Sequence, residues 1–179
     1  IALVFLFSLA MTSGIPGAGG LVMKLLFLDI SRAYFHSPST RPIFVDLPPE
    51  RWREGFCARL LKSLYGTRDA GANFQKLVIQ ILELLEFIVG AFSPCIARHT
   101  TRFLIVVYYG DDFVCLGADV DLEWFYEGLS KHLIVKKRGK LGPDAGDDKE
   151  IRLLNRIVRW GYCEETNNDY IDYEPDGRH

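Results

Sequence analysis

A chain of 179 residues that is 49% apolar and 13% aromatic is long enough for one domain with a substantial core and too short for two ordinary ones. That composition excludes general disorder. A net charge of -2 and a pI near 6.1 exclude a uniformly basic nucleic-acid binder, so any such role must rest on local clusters.

The chain opens on IALVFLFSLA, an apolar run with no basic residues before it. It is shorter than the roughly 20 residues of a membrane span, so neither a signal peptide nor a membrane anchor is expected. It reads as a buried helix from a longer polypeptide, followed by a loop from Gly14 to Gly20. Leu25 to Ile30 (LLFLDI) is a continuous apolar run that delivers one carboxylate, Asp29, near its end, as a buried strand would. Ile43 to Leu47 reads as a second strand, stopped by Pro48 and Pro49. From Ala72 to about Ile88, apolar residues recur at spacings of three and four, which predicts an amphipathic helix. Phe103 to Tyr108 and Phe113 to Leu116 are β-type runs on either side of Gly110, Asp111 and Asp112, and predict a hairpin. A second helix is expected over Val120 to Leu133 with Asp119 as its N-cap. Ile134 to Lys137 and Ile151 to Trp160 read as strands separated by a loop from Gly139 to Asp148, and Asn167 and Asn168 as a turn between Tyr162 and Tyr170. The expected fold is α+β, an antiparallel sheet with two helices on one face around a split β-α-β core of the ferredoxin-like or RRM-like kind.

Charge is segregated along the chain. Basic residues gather at Arg51, Arg53, Arg59, Lys62 and Arg68 and again at Lys136, Lys137, Arg138 and Lys140, while acidic residues dominate from Glu164 to Asp176. Cys57, Cys95, Cys115 and Cys163 form no C-x-x-C pair, so reduced thiols are expected and neither a zinc site nor a disulfide framework. His36, His99, His132 and His179 lie at no ligand spacing. Trp52, Trp124 and Trp160 read as core or edge packing.

The adjacent carboxylates Asp111 and Asp112 need explaining, because two charges side by side repel and are costly to desolvate. Gly110 supplies the positive φ of a tight turn and puts them at its tip. A solvated turn would carry the same string, and so would half of a site for a hard divalent cation. A third carboxylate decides between the two. In a sheet of the expected order, the end of the first strand lies beside the hairpin tip, which would bring Asp29 to Asp111 and Asp112.

Four strings in order carry a resemblance: LDISRAYFH from Leu28, KSLYGTRDAGANF from Lys62, SPC from Ser93 and YYGDDF from Tyr108. Together with VKKRGKLGP and IRLLNRIVRW they resemble the reverse transcriptase of copia-type retrotransposons, from about Leu25 to Trp160. The resemblance implies an RNA-directed DNA polymerase palm over residues 21–160. It implies a helix and loop from the end of the fingers over 1–20, and a C-terminal hairpin and acidic tail over 161–179 leading towards a thumb or connection. It further implies two magnesium ions, replaceable by manganese, on Asp29, Asp111 and Asp112 with the carbonyl of Ile30, and catalysis by those three aspartates. The backbone from Ser31 through Arg32 and Ala33 to Tyr34, together with Arg68 and Asp69, would meet the deoxynucleotide. The Tyr34 ring would exclude a 2′-hydroxyl, whereas RNA-dependent RNA polymerases with G-D-D place a polar residue there. Tyr109, Lys136, Lys137 and Arg138 would touch nucleic acid through sequence-independent contacts. The implied partners are a primed RNA or DNA template, deoxynucleotides and the remaining polyprotein regions (fingers, thumb, ribonuclease H and integrase), in a cytoplasmic particle or the nucleus and with no membrane. Two departures stand out: Asp69, Ala70 and Gly71 replace the family's Gln, small residue and Pro, and Gly110 replaces an apolar residue. A non-catalytic binding module built on the same sheet is the alternative from outside the polymerases.

Overall fold

The computed structural model describes residues 1–12 and 21–177; the expected loop from Gly14 to Gly20 lies outside them. In chain order the elements are α1 (Ala2–Ala10), β1 (Lys24–Ile30), β2 (Phe44–Val45), β3 (Ala58–Arg59), α2 (Ala70–Leu84), β4 (Phe87–Val89), β5 (Ile96–His99), β6 (Ile105–Tyr109), β7 (Asp112–Gly117), α3 (Asp119–Ser130), β8 (Val135–Leu141), β9 (Glu150–Leu153), β10 (Arg156–Cys163) and β11 (Asn168–Pro175). The fold is α+β with antiparallel sheets. Six strands form the main sheet in the order β4-β5-β6-β7-β1-β8, beside a three-stranded sheet β11-β10-β9 and a two-stranded pair β2-β3.

Period-two alternation along β1 builds both sides of the molecule. Leu26, Leu28 and Ile30 join Val78, Leu82, Phe113, Phe125 and Leu129 in a core beneath α2 and α3. Leu25 and Phe27 point the other way, into a second core with Leu6, Phe7, Val114, Leu116, Val158 and Trp160, closed by α1 and the three-stranded sheet. The two helices expected on one face of the sheet are α2 and α3, and the other face is covered as well. Burial on both faces explains why β1 reads as an unbroken apolar run.

Several boundaries differ for local reasons. The helix expected over Ala72 to Ile88 is α2, two residues earlier at its start and ended by Glu86 at φ 62, so Phe87 and Ile88 continue as β4 instead. The strand expected over Ile43 to Leu47 shrinks to two residues paired with Ala58–Arg59. In α3 the N-cap position is Ala118 rather than Asp119. Where one strand was expected from Ile151 to Trp160, a turn at Leu154 and Asn155, both with positive φ, splits β9 from β10. The division expected at residue 160 falls inside β10, which pairs along its whole length with β11 through the turn at Asn167. Trp160 and Trp124 pack in or against the cores, but Trp52 is 65% exposed.

Asp119 is committed elsewhere. The ammonium of Lys24, on a side chain only 4% exposed, donates to Asp119 Oδ2 and Asp144 Oδ2 at 2.6 Å each and to Asp147 Oδ1 at 3.2 Å. Lys140 also pairs with Asp119 and lies 3.4 Å from Asp147 Oδ1. Gly142 lets the loop close over this cluster: a Cβ there would sit 2.5 Å from Asp147 Oδ2 and 2.9 Å from Lys24 Cδ.

Candidate functional site

The site is assembled by register. β1 and β7 pair antiparallel with Leu28 opposite Phe113 and Asp29 opposite Asp112. Directly opposed residues share a face, so both carboxylates stand on the side away from α2 and α3, beyond the last covered residue of that row. The β6–β7 hairpin pairs Tyr109 with Asp112 and leaves Gly110 and Asp111 as its turn, with Gly110 at φ 64. A two-residue hairpin loop favours such a positive φ. Ile30 N–H donates to the Asp111 carbonyl at 2.9 Å, tying the tip to the end of β1. Asp111 is exposed, while the side chains of Asp29 and Asp112 are 20% and 15% exposed.

One cation already serves the pair. Arg138 Nη2 donates to Asp29 Oδ1 at 2.7 Å, and its Nη1 lies 3.1 Å from Asp112 Oδ1. Burial pushes the Asp112 carboxyl up from its ordinary pKa; Arg138 opposes this, and the neighbouring charges of Asp111 and Asp29 reinforce it. Among the described residues no three His, Cys, Asp or Glu side chains converge as metal ligands. The donor chemistry nevertheless suits a hard cation: all-oxygen, anionic, and bridged by a guanidinium as a stand-in positive charge.

The segment after β1 is irregular. Ser31 N–H is taken by the Ile134 carbonyl, Arg32 adopts a left-handed φ of 55, and Ala33–His36 form a single 3-10 turn. Tyr34 is half-buried on the helix-side core, its ring 6.2 Å from Phe74 and 4.5 Å from Tyr65. Tyr65 went unnoticed in the sequence although it lies inside the KSLYG string. Burial raises its pKa, with the Asp111 charge next, while the backbone N–H groups of Ala33 and Tyr34 favour the ionised form. Its ring lies beside the Tyr34 and Phe35 rings, at 4.5 and 5.6 Å.

The remaining residues separate into those near this face and those held elsewhere. Arg68 is exposed. Asp69 pairs with Arg41 at 3.3 Å and accepts from Asn73, so its charge is turned to the start of α2. Burial works against its ionisation, but its own backbone N–H and Arg41 hold its pKa below the ordinary value. Lys136 is exposed and opposes Asp29 in register, hence on the carboxylate face. Lys137 opposes Leu28 and is turned to the helical side, where it pairs with Glu123 at 2.6 Å and lies over the Tyr126 ring. Tyr109 is 74% exposed beside the turn.

No protein-family model matches the sequence, and no curated protein matches it. Among solved structures the chain is similar to an apo telomerase from Candida tropicalis truncated from its C-terminal domain, with 12% identity and a TM-score of 0.45. The match covers 84% of this chain and 35% of that one, so the chain spans about a third of the telomerase structure's length. Among the described residues no helix is long and apolar enough to cross a membrane.

Proposed function

We propose that this chain is the palm of an RNA-directed DNA polymerase of the copia-type retrotransposon kind. The observation that carries this reading is the in-register pair Asp29 and Asp112 with Asp111 on the adjoining turn, three carboxylates from two chain segments at one end of a sheet. Two magnesium ions, or manganese in their place, held by Asp29, Asp111, Asp112 and the Ile30 carbonyl, would activate the primer 3′-hydroxyl and neutralise the departing pyrophosphate. The hydroxyl oxygen bonds to the α-phosphorus as its proton passes to solvent, the bond from the α-phosphorus to the bridging oxygen breaks, and pyrophosphate leaves. The protein's own share is positioning and charge. The backbone amides from Arg32 to Tyr34 orient the triphosphate, and Arg32 and Arg68 add positive charge. The Tyr34 ring, braced by Phe74, lies under the sugar and excludes a 2′-hydroxyl. Lys136 and Tyr109 face the primed template. Fingers, thumb, ribonuclease H and integrase regions would complete the enzyme in a cytoplasmic particle or the nucleus.

The test is addition of a single deoxynucleotide to a primed RNA template in magnesium or manganese. The isolated palm should add weakly or not at all; the reading requires addition by the palm joined to fingers and thumb regions, loss in Asp29→Asn and Asp111→Asn, and preference for deoxy- over ribonucleotides. One observation favours a second reading, a nucleic-acid-binding palm without catalysis: Arg138 fills the seat between Asp29 and Asp112. Template binding that persists without any divalent-dependent addition would establish that alternative.

A further inference from the structure

We propose that Arg138 is a resident cation that a divalent metal displaces, and that the released guanidinium then binds the phosphates of the incoming nucleotide. This rests on the polymerase reading and assigns Arg138 a place in it.

Arg138 sits at an irregularity in the sheet. Along the β1–β8 ladder Leu28 pairs with Lys137 and Phe27 with Gly139, so Arg138 is the extra residue of a β-bulge. Here Lys137 keeps to the helical side and Arg138, next in the strand, takes the carboxylate face, where its two terminal nitrogens reach two different aspartates. Opposed residues in an antiparallel pair have Cα atoms about 4.5–5.5 Å apart, so the like charges of Asp29 and Asp112 repel and a cation between them offsets that repulsion. The Arg138 guanidinium does so with a directed hydrogen bond to Asp29 and a close ion pair to Asp112. A divalent ion would do so more strongly but must use the same oxygens, so the two compete. Arg138 lies on the edge strand β8 with 41% of its side chain exposed, and it can leave without breaking the core. Once displaced, it remains tethered beside the site as a planar fork suited to phosphate oxygens. Lys136, opposite Asp29, stays as a second cation on that face whether or not Arg138 is present.

The exchange has an unusual signature, because removing Arg138 should move the two ligands in opposite directions. In Arg138→Met, Mn(II) alone should bind about tenfold more tightly, the scale set by two partly exposed ion pairs. At saturating Mn(II), the same variant should bind a deoxynucleoside triphosphate about tenfold more weakly. Arg138→Lys, which keeps the charge but loses the fork, should fall between the two and guards against a folding defect. Mn(II) affinity is read by electron paramagnetic resonance and nucleotide affinity by equilibrium dialysis, with folding checked by circular dichroism. Unchanged Mn(II) affinity in Arg138→Met overturns the exchange, and so does weakening of both ligands, which would mark a structural role only. Failure of Mn(II) to bind parent and variants alike overturns the metal-site reading itself, and the exchange with it.

Discussion

Replacing Lys24 by Met keeps the volume and apolar stem of the side chain but removes the ammonium at the centre of three carboxylates. The loss concentrates on Asp147, whose side chain is 3% exposed, because Asp119 and Asp144 are 51% and 64% exposed and can turn to water. Breaking a buried ion pair costs about 3–5 kcal/mol. Asp147 keeps Lys140 at 3.4 Å and the backbone N–H of Asp144 at 3.1 Å, which places the expected loss near the lower limit, about 3 kcal/mol. For a chain of this size that corresponds to a fall in Tm of roughly 6–12 °C. The pH dependence follows from the direction of the shifts. Burial alone would raise the Asp147 pKa, but the hydrogen bond from Lys24 and the Asp144 N–H hold it below the ordinary value. Its contribution is therefore complete above the unfolded pKa of about 3.9 and is lost as the pH falls through the folded value. Burial likewise disfavours charge on Lys24, yet the three carboxylates win and raise its pKa, so its contribution is complete below about 10.4 and declines as the pH rises further. Urea unfolding of both proteins from pH 3 to 8 measures the difference, which should be flat at neutral pH and shrink in acid. A difference below about 1 kcal/mol, the scale of an exposed pair, or one that does not change with pH, would refute this account.

Three further substitutions probe the fold and site. Phe113→Ala removes a ring with no exposed surface that stacks on Tyr108 at 5.1 Å, and should cost about 3–5 kcal/mol in urea unfolding. Gly110→Val restores the kind of residue the resembling family carries, but at φ 64 it should cost about 1–2 kcal/mol and reduce nucleotide addition by tilting Asp111, as unfolding and single-turnover assays would show. Tyr34→Ala should leave deoxynucleotide addition measurable while raising ribonucleotide incorporation, read as the ratio of kcat/KM for the two sugars.

The strands that carry the carboxylates were legible because their side chains face cores on both sides, which makes LLFLDI and DFVCLG apolar runs with charge only near one end. β4 was not, because Ile88 keeps the helical spacing of α2 and nothing in the sequence marks Glu86 as left-handed. The turn at Leu154 and Asn155 was hidden for a similar reason: its first residue is an apolar one that normally avoids positive φ. Asp119 showed the residue type of an N-cap, but partners 95 and 21 positions away in sequence, Lys24 and Lys140, hold it instead. At the site, the aspartates were legible as types at an ordered spacing. The seat of Arg138 between Asp29 and Asp112 and the packing of Tyr65 on Tyr34 were not, since both depend on how separate segments meet.

The most direct test of the central claim, that Asp29, Asp111 and Asp112 form one divalent-cation centre, is to load the chain with iron(II) in place of magnesium and map where locally generated hydroxyl radicals cut the backbone. The account predicts cuts confined to residues 28–31 and 109–113, suppressed by excess magnesium and abolished in Asp29→Asn. Cuts clustered at Asp119, Asp144 and Asp147, or none at all, would contradict it.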